Sequence, residues 1–138
     1  MILYLTLGTN DLQRTMRFYD PVMASLGFHR HVTVEDEIGY GPALAKKSEA
    51  ASENARKCFV WITKPYLKLP ATWGNGTLLA LPASSHAAVN AFHSAAISNG
   101  GFDEGVPGLR PYHPTFYACY VRDPDGNKLS AVCETAQN

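Results

Sequence analysis

Charge, cysteine and long apolar stretches are all scarce in this sequence, and each shortage closes off a class of function. Charged residues make up 17% of the 138 residues, with 12 Lys and Arg balanced by 12 Asp and Glu. There is no cationic surplus of the kind that neutralises a phosphate backbone or an anionic bilayer, so neither nucleic acid nor a membrane is an expected partner. No apolar run approaches the roughly 20 residues that cross a bilayer. The opening Met1-Ile2-Leu3-Tyr4-Leu5-Thr6-Leu7-Gly8 lacks the basic n-region of a secretion signal and reads as a strand. Cys58, Cys119 and Cys133 are odd in number and form no Cys-x-x-Cys pair, which offers neither a disulfide framework nor a structural zinc site. A cytoplasmic protein with reduced thiols is the expectation. What the chain does have is 46% hydrophobic residues over a length that suits one compact domain.

Residues 2–8 run into Gly8-Thr9-Asn10-Asp11, where Asn10 or Asp11 can cap the free amides of a helix. Leu12, Met16, Tyr19, Met23 and Leu26 then recur at spacings of three and four, one helical stripe that stops at Gly27. Pro21 lies inside the stripe and predicts a kink or an early end. Strand-like segments follow at His31–Val34, Ile38–Gly41 and Lys57–Thr63, with a polar Lys46–Arg56 loop or short helix between the last two. A Pro- and Gly-bearing stretch from Lys64 to Asn75 reads as a connection. Beyond it, Thr77–Leu81 is strand-like, Ser84-Ser85 offers a cap, and Val89, Phe92, Ala96 and Ile97 form a second helical stripe before Gly100-Gly101. Two further strands, Phe116–Val121 and Lys128–Cys133, flank Asp123-Pro124-Asp125-Gly126-Asn127, a strong antiparallel turn signal.

An offset of 74 residues aligns Leu7 with Leu81, Phe18 with Phe92, Gly27 with Gly101 and Phe28 with Phe102 without a gap. The expected strand and helix boundaries coincide at the same offset. The reading is an α+β fold of two tandem βαβββ modules, module one over 1–67, a linker over 68–76 and module two over 77–138. Each is too small to bury its sheet alone, so the two pack against one another.

At this point the chain resembles the vicinal oxygen chelate superfamily of glyoxalase I, bleomycin-resistance proteins and extradiol dioxygenases. The resemblance spans nearly the whole chain. It is carried by Leu5-Thr6-Leu7-Gly8-Thr9-Asn10-Asp11-Leu12 running into Arg17-Phe18-Tyr19-Asp20, by Gly74-Asn75-Gly76-Thr77, and by Tyr120-Val121-Arg122-Asp123-Pro124-Asp125-Gly126-Asn127. It implies a curved mixed sheet around a cleft whose floor, in the family, holds a divalent metal through His, Gln and Glu side chains of the first and last strands of each module. Carried over residue by residue, those positions fall on Tyr4, Trp61, Leu78 and Ser130. An aliphatic chain, an indole that only donates and two neutral hydroxyls cannot replace that donor set. The resemblance therefore implies a family member with the cleft and without the metal site. No cofactor is expected, and a divalent metal only through displaced ligands.

The remaining candidates are His29 and His31, two apart on one strand and able to chelate or to form an exposed pair, and His93 and His86, read as helix-surface residues. Arg110, Tyr112, His113 and Tyr117 are expected to rim the second module's half of the cleft, joining a cation, an imidazole and two phenols. Any general base would be His113. Trp61, Tyr66 and Trp73 line a cleft, a dimer seam or the core. Three functional readings stand at this stage. The first is metal-independent binding of a small molecule between aromatic walls, in a homodimer as the resemblance implies. The second is a lyase, isomerase, thiol transferase or dioxygenase, using displaced metal ligands or His113 without metal. The third is a non-catalytic dimeric partner of another protein.

Overall fold

The structure, a computed structural model, describes residues 1–137. The chain order is β1 (Leu5–Gly8), α1 (Leu12–Ala24), β2 (Phe28–Thr33), β3 (Glu37–Pro42), α2 (Ala51–Ala55) and β4 (Val60–Thr63). The second half follows with β5 (Leu79–Pro82), α3 (His86–Ser98), β6 (Phe102–Leu109), β7 (Tyr117–Arg122) and β8 (Lys128–Cys133). Two four-stranded sheets result, ordered β1-β4-β3-β2 and β5-β8-β7-β6. Each is mixed: β1 runs parallel to β4 and β5 parallel to β8, while the remaining neighbours are antiparallel. This is the βαβββ arrangement twice over.

Both long helices start as their caps predict. The Asp11 carboxylate accepts from the amide of Arg14 and the Ser85 hydroxyl from that of Ala88, each at 3.0 Å. Asn10 takes a different task, exchanging two hydrogen bonds with the backbone of Ala71 and so tying the connection back to the start of α1. Pro21 neither ends nor shortens α1, which continues to Ala24. The carbonyl left without a donor is that of Arg17, an exposed residue whose backbone water can serve. The 74-residue offset holds for β1 and β5, for the two 13-residue helices and for Phe28 and Phe102, which open β2 and β6.

One core runs through both halves. Phe18, Tyr19, Val22, Met23, Ile38, Val60 and Ile62 meet Val89, Phe92, Val121 and Leu129 in a single buried cluster, each large apolar side chain contributing about 1.5–3 kcal/mol on burial. The Asp123–Asn127 turn adds a polar lock to this apolar contact. Asp123, fully buried, accepts from the Tyr19 hydroxyl at 2.6 Å and from the Asn127 side chain at 2.8 Å. Asp125 accepts from the Thr9 hydroxyl, the Asn10 amide and the Arg14 guanidinium at 2.6–2.9 Å. A turn that suits any hairpin is here also the clasp between the two modules.

Candidate functional site

Strand parity sorts every side chain to one of two faces. In the first sheet Leu7, Ile38, Tyr40, Val60 and Ile62 point to the helix and are buried, so Tyr4, Thr6, Glu37 and Trp61 lie on the open face. There they line a depression of about 720 Å³ together with Leu3, Arg56 and Cys58. Gly39 makes room for the indole, since a β-carbon at that position would come within 2.8 Å of the Trp61 ring. Burial pushes the Cys58 thiol above its ordinary value, which keeps it protonated and a poor nucleophile.

In the second sheet Cys119, Val121, Leu129 and Ala131 face α3 and are buried, leaving Tyr120, Lys128 and Ser130 on the open face. A second depression of about 690 Å³ is lined by Leu78, Arg110, Tyr112, Phe116, Tyr120 and Lys128, with Glu104 at its edge. Glu104 accepts from Arg122 at 2.7 Å and from Lys128 at 3.1 Å, and these two partners hold its carboxyl below the usual range. Burial raises the Tyr120 phenol, which stays protonated.

The expected site residues thus fall in two places that share no lining residue. Tyr4 and Trp61 belong to the first depression and Leu78, Arg110 and Tyr112 to the second. Ser130 sits between Tyr120 and Ala80 in the ladder, wholly buried, its hydroxyl without a hydrogen-bond partner. Tyr117 was expected at the cleft rim and lies on the opposite face. Its ring stacks on His86 with centroids 3.8 Å apart, and its hydroxyl donates to Asn90 of α3. The apolar alternation Tyr117, Cys119, Val121 carries that placement, and it keeps His86 against a ring rather than in solvent. His113 lies outside the lining of both depressions, with one ring nitrogen 3.2 Å from Glu134 and the other 3.2 Å from the Thr115 hydroxyl. With both nitrogens engaged, it presents no free lone pair to either depression. His31 turns a nitrogen to the carbonyl of Pro42, at the point where the register of β2 against β3 shifts between Arg30 and Val32, while His29 keeps its place opposite Gly41. His93 bonds Asp103 at 2.8 Å. Trp73 covers the Gly126 turn and lies under the Arg122 guanidinium, whereas Tyr66 is exposed. Tyr120, Lys128, Phe116 and Glu104 were missed, although the hairpin turn already set Tyr120 opposite Ser130.

The donor chemistry on the two open faces does not fit a divalent metal. Tyr4, Trp61, Leu78 and Ser130 supply two neutral hydroxyls, an N–H and a methyl group, and among the described residues no three His, Cys, Asp or Glu side chains are grouped to hold an ion.

Residues 1–130 match the sequence model of the Glyoxalase/Bleomycin resistance protein/Dioxygenase superfamily. The chain belongs to this superfamily. A glyoxalase/bleomycin resistance protein from Albidiferax ferrireducens T118 is 34% identical, with 96% of this chain and 98% of that one covered and a TM-score of 0.79. The fold is shared by a genomically encoded fosfomycin resistance protein from Listeria monocytogenes, 14% identical over 96% and 91% of the two chains with a TM-score of 0.63. It is shared also by a lactoylglutathione lyase from Agrobacterium tumefaciens, 16% identical over 96% and 92% with a TM-score of 0.62. No curated protein matches the chain in sequence. Among the described residues no helix of this superfamily member is long and apolar enough to cross a membrane.

Proposed function

We propose that this member of the glyoxalase and bleomycin-resistance superfamily is a metal-independent binder of small organic molecules. The observation that carries the reading is the make-up of the open faces: aromatic and apolar walls with a few polar groups, at positions where the family's metal ligands would stand. Pockets of a few hundred cubic ångströms with such linings suit small-molecule ligands. The test is a ligand-detected NMR screen of neutral and charged aromatic fragments, repeated with Trp61→Ala. Saturable hits that weaken at least about ten-fold in the variant, with an unchanged folded-state spectrum, support the reading, since one large aromatic wall commonly supplies a kcal/mol or more. Hits indifferent to the substitution remove Trp61 from the site, and no saturable hit at all refutes the proposal.

Each depression is open on one side, so a second copy of the chain would supply the missing wall. Leu3 and Tyr4 at one depression and Leu78 and Tyr112 at the other expose 45% or more of their surface, apolar area that association would cover. A cyclic homodimer pairing module one of one protomer with module two of its partner satisfies both faces at once. Light scattering at micromolar concentration should then give twice the 15.1 kDa chain mass; a value of one chain mass would refute the dimer.

A further inference from the structure

Arg110 stands apart from most of the other cations of this protein. Arg14, Arg30, Arg56, Lys64, Lys68, Arg122 and Lys128 each have a carboxylate within 4.0 Å, and so do His93 and His113; Arg110, like Arg17, Lys46, Lys47 and Lys57, has none among the described residues. It is nonetheless held in place. One terminal nitrogen donates to the carbonyl of Val106 at 2.6 Å and the other to that of Leu109 at 3.4 Å. The guanidinium carbon lies 5.4 Å from the centre of the Tyr120 ring, a cation–π contact.

The strand beneath it is built to admit the group. β6 carries irregularities between Asp103 and Gly105 and again between Gly105 and Gly108. A β-carbon at Gly105 would come within 3.3 Å of one guanidinium nitrogen, and one at Gly108 within 3.0 Å of the other. Two glycines therefore leave the groove in which the arginine, one residue past the strand's end, lies back along β6. Of the five guanidinium N–H groups, two are taken by backbone carbonyls and three remain. The depression beside them has Tyr120 as its floor, Tyr112 and Phe116 in edge-to-face contact at 5.1 Å as a wall, and Leu78 at one end. Lys128 also approaches the Tyr120 ring, at 5.6 Å, and the only carboxylate lining the depression among the described residues, Glu104, is already shared between Lys128 and Arg122. The local charge is net positive, over aromatic surface.

We infer that this depression binds an aromatic carboxylic acid, its carboxylate taken by the free edge of the Arg110 guanidinium and its ring laid against Tyr120 and Tyr112. The inference rests on the small-molecule reading above and names the ligand class for the second module's half of the site. A guanidinium fixed by backbone carbonyls has lost its rotamer freedom before the ligand arrives, so less binding energy is lost in ordering it.

The test compares 2-naphthoate with its neutral counterpart 2-naphthalenemethanol by titration into ¹⁵N-labelled protein, following the Gly105 and Gly108 amides and the Trp61 indole. The expected result is saturable binding of the acid that shifts both glycine amides and is at least about ten-fold tighter than that of the alcohol, as charge-assisted hydrogen bonds predict. Arg110→Met should weaken the acid at least about ten-fold more than the alcohol and so remove that advantage, with Arg110→Lys intermediate because it keeps the charge and loses the fork; a thermal melt checks that both variants fold. Equal binding of acid and alcohol, or acid binding that ignores Arg110→Met, overturns the inference while leaving small-molecule binding intact. Failure of both compounds to bind, together with an empty fragment screen, overturns the inference and the reading it rests on.

Discussion

Replacing Asp123 by Ala is expected to cost about 3–5 kcal/mol of stability, a large part of the 5–15 kcal/mol available to a domain. The carboxylate is fully buried and accepts four hydrogen bonds: the Tyr19 hydroxyl, the Asn127 side chain, and the amides of Asp125 and Asn127. Alanine leaves the Tyr19 hydroxyl and the Asn127 amide group without this acceptor at the seam between the modules, and each buried orphan costs about 1–3 kcal/mol. Thermal denaturation should show a melting temperature lower by roughly 10 °C or more, whereas Tyr19→Phe, which removes one donor and leaves Asp123 its other three, should cost about 1–2 kcal/mol. A loss below 1 kcal/mol for Asp123→Ala would mean that the apolar contact alone joins the halves. Burial pushes the Asp123 carboxyl above its ordinary value of 3.8 against the pull of these donors. The folded state therefore binds this proton more tightly than the unfolded chain does. This group's contribution favours folding below pH 3.8 and erodes as pH rises through the folded-state value.

The second large effect separates two glycines that align at the 74-residue offset. Gly101→Ala should destabilise the protein by about 2–3 kcal/mol, because overpacking forces backbone or core to move. The added methyl would lie 2.7 Å from the Phe18 ring and 2.8 Å from each of two backbone oxygens, those of Ala96 and Arg122. Gly27→Ala meets nothing within 4 Å, but its φ of +81° lies in the left-handed region, for a cost of about 1–2 kcal/mol. Chemical denaturation of the two variants should rank them in that order. The reverse order would show that α3 and β6 can separate freely around Gly101. The helix-terminating counterpart of Gly27 is in fact Gly100, at φ +93°. The alignment places the elements correctly and shifts this one role by a residue.

That pattern holds more widely. Every strand but β6, both caps and the hairpin turn were legible because each is written in local chemistry: alternation, a capping oxygen, a Gly at a positive φ; β6, broken by Gly105, Pro107 and Gly108, carries no such alternation. The clasp was not. Nothing near Asp123 in the chain indicates that its partner is Tyr19, 104 residues away, and only the packed fold brings them together. At the site, Tyr4, Trp61 and Leu78 were reached through the family resemblance and Arg110 through its neighbours Tyr112 and His113; strand parity puts Tyr4 and Trp61 on an open face. It misplaced Tyr117, for which the polar neighbours Tyr120 and Arg122 already marked the other face. It also missed that the expected cleft residues are divided between two depressions, since which surface faces which is set by tertiary packing. Arg110 is the intermediate case. Its charge and aromatic neighbours were visible, whereas the glycine groove that fixes it depends on β-bulges without a strong sequence signal.

The proposed metal independence is open to one measurement: elemental mass spectrometry of tag-free protein, repeated after incubation with Ni, Zn, Mn and Fe(II) and removal of unbound ion. Far less than one metal ion per chain, before and after addition, is the result predicted by open faces bearing Tyr4, Trp61, Leu78 and Ser130. One tightly held ion per chain would contradict it, direct attention to His29, His31 or His113 as displaced ligands, and make metal-dependent chemistry the leading reading of this cleft.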